Sequence, residues 1–162
     1  MLEFIFRVCC GIIYAISYLT GYSYEVVNTF LFIYLEPAIL LISGWLITVF
    51  AIKYFKASTF NKIVFLLSIV YNSVITIVIA AIWKHYLQFN MDMACQRAYI
   101  DLDTIGRITG LGYINTNLFL FIILFLFILV FNIAVLVCQT IFYRRSLHHS
   151  SQNINLHARI KL

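Results

Sequence analysis

A chain of 162 residues with 64% hydrophobic and 10% charged side chains, at mean hydropathy +0.98, does not suit water. A soluble domain carries about 25% charged and about 45–50% apolar residues, and a fold this apolar lacks the polar surface to cover itself. The net charge of +5 does not indicate nucleic acid, because Lys and Arg sit at the ends of apolar segments rather than on a basic face with stacking aromatics.

In chain order, the first segment is Phe4–Leu19, whose apolar run after Arg7 covers only residues 8–19. That length suits an interfacial helix better than a span. Arg7, Gly11, Tyr14 and Tyr18 form a weak polar stripe on one helical face. A cleaved signal peptide is disfavoured by Glu3 beside a single Arg7 and by the poor cleavage site Ala15-Ile16-Ser17. Cys9 and Cys10 read as packing residues.

Three segments have the roughly 20 apolar residues that a crossing helix needs: 26–52, 63–83 and 118–143. They are too long for spanning strands, which need about 9–11 alternating residues. Between the second and third lies an outer segment, 84–112, read as an amphipathic surface helix. Ala98, Leu102 and Ile105 fall on its apolar face and Gln96, Asp103 and Arg107 opposite. Residues 146–162 read as a polar, mobile tail in which His148 and His149 are solvated.

The first connection carries Lys53, Lys56 and Lys62 without an acid, and the tail carries Arg144, Arg145, Arg159 and Lys161. The positive-inside rule places both in the cytoplasm. Aromatic anchors agree, with Tyr22, Tyr24, Trp83, Tyr86 and Tyr113 at the outer interface. Tyr54, Phe55, Phe60, Phe142 and Tyr143 lie at the inner one.

One phrase is written twice. TGYSYEVVNTFLFI (20–33) recurs as TGLGYINTNLFLFI (109–122), with Thr20/Thr109, Gly21/Gly110, Tyr24/Tyr113, Asn28/Asn117 and the run FLFI matching at one offset of 89. Each copy marks the turn from a surface segment into a span, and both enter from the same side. Gly21 and Gly110 suit a sharp turn, Ser23 and Gly112 suit N-caps, and the tyrosine hydroxyls are expected in water. The phrase is read as a partial, parallel internal duplication.

Within the spans, Glu36 followed by Pro37 stands out. An acid near mid-bilayer costs on the order of 2.5–3.5 kcal/mol on insertion scales, and the proline frees a carbonyl one turn earlier. Asn72, Asn132 and Gln139 read as interhelical glue, with Asn72 or Ser68 as candidate partners for Glu36. A disulfide between Cys95 and Cys9 or Cys10 is conceivable on the outer side.

No zinc spacing, phosphate loop or nucleophile–base set occurs; GRITGLG (106–112) shares only composition with a phosphate loop. No metal, cofactor or catalytic residue is expected. The fold expected is an all-α integral membrane protein with three transmembrane helices and an N-terminal interfacial, or short fourth spanning, helix. Residues 1–145 form its single helical membrane domain. The role expected is a non-enzymatic accessory, regulatory or immunity-like subunit of the plasma (inner) membrane. It would contact the lipid bilayer and a membrane-protein partner or further copies of itself. The alternative is a small oligomeric proton or cation channel or transporter using Glu36.

Overall fold

The computed structural model of the protein describes residues 2–54 and 59–160, with side chains described for 3–54 and 59–145. Phe55, Lys56 and the tail side chains from Ser146 on, His148 and His149 among them, lie outside that set. Apart from short turns the described residues are helical, without a strand. In order they form α1 (Leu2–Thr20), α2 (Tyr24–Thr29), a π-helical segment (Phe30–Leu35) and α3 (Glu36–Lys53). Then come α4 (Thr59–Tyr86), α5 (Met91–Thr109), α6 (Gly112–Leu118), a second π-helical segment (Phe119–Leu124) and α7 (Phe125–Ile160). With no Gly or Pro between 125 and 160, nothing stops the backbone at Arg144 and Arg145, and α7 carries residues 146–160 in continuous helix.

Among the described residues four helices, one more than the three expected spans, are long and apolar enough to cross a membrane: Glu3–Thr20, Tyr24–Lys53, Thr59–Tyr86 and Gly112–Arg145. The addition is α1, which begins well before Arg7. Arg7 pairs with Glu3 one turn earlier at 2.8 Å, so its charge is answered within the helix and does not end it. The stripe Arg7–Gly11–Tyr14–Tyr18 faces outward, as its spacing predicts.

The chain packs as two compact units, Met1–Leu40 with Ile77–Ile128, and Leu41–Thr76 with Leu129–Leu162. In the first, the duplication extends far beyond the repeated phrase. α1 and α5 have the same 19-residue length and start and stop 89 positions apart, as do the two π segments. Both helices end on a threonine whose hydroxyl bonds backward, Thr20 to Ile16 O and Thr109 to Ile105 O, each at 2.8 Å. Both then turn on a left-handed glycine, Gly21 at φ 75° and Gly110 at φ 73°. α1 packs on α6 and α5 packs on α2, so each copy's 19-residue helix also packs on the other copy's short helix. That exchange, with equivalent Phe32 and Phe121 in ring contact at 5.0 Å, is what a local twofold relation produces.

Two details depart from expectation. Ser23 does cap α2, its hydroxyl accepting from Val26 N at 3.3 Å. Gly112, with no side-chain oxygen to offer, is instead the first residue of α6 at φ 71°, after Leu111. On α5 the buried stripe runs Ala94, Leu102 and Gly106, while Ile105 is exposed.

The second unit is tied by polar groups. Asn72 donates to Gly44 O at 2.9 Å and to Thr48 Oγ1 at 2.8 Å, and the Thr48 hydroxyl donates to Ser68 Oγ at 2.9 Å. Asn132 donates to Ser43 Oγ at 2.8 Å and accepts from the Tyr71 hydroxyl at 3.1 Å. Gln139 donates to Ile47 O at 3.1 Å. Gly44 allows this close approach, because a Cβ there would overlap the Asn72 amide oxygen unless that side chain shifted. At the far end Tyr54 stacks on Tyr143 at 4.0 Å and Phe60 on Phe142 at 4.6 Å, so the expected inner anchors pair with one another.

Candidate functional site

Two features compete for the functional site: Glu36 within a long apolar helix, and the place where the two copies of the repeated phrase meet. Glu36 opens α3 directly after the first π segment and is half-buried, with Pro37 next to it. Neither Asn72 nor Ser68 answers it, because the Asn72 donors are taken by Gly44 and Thr48 and the Ser68 hydroxyl donates to Phe65 O at 2.9 Å. Among the described residues the carboxyl has no hydrogen-bond or ion-pair partner.

The proline's freed carbonyl is answered. Residue 37 of a continuous α-helix would bond to Ile33 O; here the Trp83 indole N–H donates to that oxygen at 2.8 Å. Trp83 is therefore not an interfacial anchor with its N–H in water. The equivalent of Pro37 in the second copy is Leu126, which keeps its N–H. The helix that answers Pro37, α4, is likewise the one without a counterpart in the duplication. Proline does not cause the π segment, since the second copy has one without it.

At the centre of the first unit lies a cavity of about 200 Å³. Its walls repeat the sequence offset. From α1 and α5 come Phe6/Cys95, Cys9/Ala98, Cys10/Tyr99 and Ile13/Leu102. From the two entry helices come Tyr24/Tyr113, Asn28/Asn117, Phe32/Phe121 and Ile33/Ile122. Each of these pairs is 89 positions apart, so the cavity lies on the local twofold relation. Only Glu25 and Thr29 line it without their equivalents, Ile114 and Leu118.

The entry tyrosines thus face inward. The Tyr24 hydroxyl lies 3.6 Å from Cys10 Sγ and its ring 4.5 Å from Tyr14, while Tyr113 packs on Tyr99 at 4.7 Å. The expectation of hydroxyls in water fails because α1 and α5 cover these turns. Cys9, Cys10 and Cys95 meet at the cavity as free thiols. Outside it, Asp101 accepts from the Tyr86 hydroxyl at 2.9 Å and pairs with Arg97 at 3.2 Å, with His85 at 3.4 Å, which clasps α5 to the end of α4. No group of His, Cys, Asp and Glu that could hold a metal occurs among the described residues.

Residue types alone do not point to the cavity. The signal that does is the fixed offset itself, which continues past the matching letters into dissimilar pairs such as Cys10/Tyr99. The chain matches no known protein family, no curated protein and no solved structure.

Proposed function

We propose that this chain is a small multi-pass protein of the plasma (inner) membrane that acts without catalysis, as an accessory, regulatory or immunity-like subunit bound to a partner membrane protein. Glu36 carries the reading. It sits within an apolar helix with no partner among the described residues, whereas Asn72, Asn132 and Gln139 are all bonded in their own unit. Acids in spans are kept where they meet a counter-group or a water-filled path, and a basic or donor group on a second polypeptide supplies the first.

The topology we favour has three spans, Tyr24–Lys53, Thr59–Tyr86 and the apolar part of Gly112–Arg145, with α1 at the outer interface. Its support is the equivalence of α1 and α5. The second of these carries Asp92, Arg97, Asp101, Asp103 and Arg107 and is no span, so its counterpart belongs at the same depth. The lysines after α3 and the arginines of the tail orient both toward the cytoplasm.

The second reading, an oligomeric proton or cation channel or transporter, uses the same carboxyl facing a water path between copies. Affinity capture from native membranes, run beside liposome leak assays, separates the two. Wild type is expected to retain a membrane partner that Glu36→Gln loses at equal expression, with no leak from either. A proton or cation leak abolished by Glu36→Gln, with no partner captured, rejects the subunit reading.

A further inference from the structure

We propose that the cavity on the local twofold relation binds a primary ammonium group of a small amine. The inference stands apart from the reading of Glu36, which lies outside the cavity wall.

Several observations converge on it. First, the cavity of about 200 Å³ far exceeds the roughly 30 Å³ that a water occupies in the liquid. Second, among the described residues no Lys or Arg lines it, and Glu25 is the one acid that does. Third, Tyr24, Tyr99, Tyr113, Phe32 and Phe121 all line it, and aromatic rings attract cations. Asn28 and Asn117 line it as well, the Asn117 amide bonded to the Tyr113 side chain.

The departures from symmetry are more specific. The two lining residues without an equivalent across the cavity are Glu25 and Thr29, one helical turn apart on α2 and therefore on one face. Glu25 is exposed and so stands at the mouth. Thr29 is 2% exposed, and its Oγ1 has no hydrogen-bond partner among the described residues. A buried hydroxyl without a partner is costly, and natural structures rarely leave one. Its equivalent is Leu118, which shows that the fold accepts an apolar residue there.

An ammonium answers both departures, its charge facing Glu25 and an N–H directed at Thr29 Oγ1, with the aromatic walls around its carbon atoms. A π-helical segment follows the entry helix in each wall, a distortion that recurs at functional sites. Glu25 lies in the first turn of α2, just after the Gly21 turn and at the expected entry to a span, so the amine can be free or the ethanolammonium head of a phospholipid.

The test uses the full chain purified in a maltoside detergent, titrated with ethanolamine and with ethylene glycol as its uncharged analogue, reading the unfolding temperature. Ethanolamine is expected to raise it saturably and ethylene glycol is not. Glu25→Gln should weaken the apparent affinity at least tenfold and Thr29→Val at least threefold, with Thr29→Ser restoring it and Glu3→Gln without effect. Nanodiscs of phosphatidylethanolamine and of phosphatidylglycerol identify the source. Competition by the first lipid alone assigns a lipid headgroup, and equal ethanolamine binding in both assigns a free amine. Equal responses to ethanolamine and ethylene glycol, an unchanged affinity in Glu25→Gln, or no saturable response to ethanolamine or to phosphatidylethanolamine overturns the proposal.

Discussion

Asn132 joins two helices through a single amide, donating to Ser43 and accepting from Tyr71. Removing it as Asn132→Ala deletes both bonds, and interhelical hydrogen bonds in membranes are worth about 0.6 kcal/mol each, up to about 1.7. Gly44→Ala places a methyl against the Asn72 amide, an overpacking that typically costs about 1–3 kcal/mol. Both variants are expected to unfold earlier in a denaturing-detergent titration, Gly44→Ala the more strongly. Glu36→Gln should unfold no earlier than wild type, because an amide is cheaper to bury in lipid than a carboxylate. Wild-type resistance in Gly44→Ala would contradict the close approach. At this scale the polar residues were legible and their partners were not. Asn72 reads as a candidate for Glu36, yet it bonds a backbone carbonyl, and a carbonyl leaves no mark on the sequence.

Among the elements, the equivalence of α1 and α5 leads us to expect the two helices at one depth. Glu3 and Asp92 are acids at equivalent positions near the starts of the two helices. In a background without native cysteines, Glu3→Cys and Asp92→Cys are both expected to react with an impermeant reagent on intact cells. A cysteine at Ser58 should react only after the cells are opened. Protection of Glu3→Cys until opening would make α1 a fourth span and reject its equivalence in depth with α5. The two turns were readable because a positive φ favours glycine. The π segments were not. In a run of Phe, Leu and Ile every position is apolar, so a change of helical period leaves the hydrophobic pattern unaltered.

For the molecule as a whole, the outward faces of the long helices carry side chains that water would reject, among them Leu66 at 65%, Ile77 at 69% and Phe127 at 71% exposure. The protein is accordingly expected to stay with the membrane pellet through alkaline carbonate and to enter solution only with detergent. Release by carbonate would remove the membrane assignment. Composition and segment length by themselves determined that this chain forms long apolar helices, because backbone pairing inside lipid leaves few alternatives. The 89-residue offset by itself identified two related entry turns. Tertiary structure alone decided that α1 and α5 exchange partners, that the tyrosines turn inward, and that Trp83 answers the proline. It also decided that Glu25 and Thr29 break the symmetry of a shared cavity. Each of these depends on contacts between residues ten or more positions apart, many of them about ninety or more, and a local pattern in an apolar chain carries no information about which faces meet.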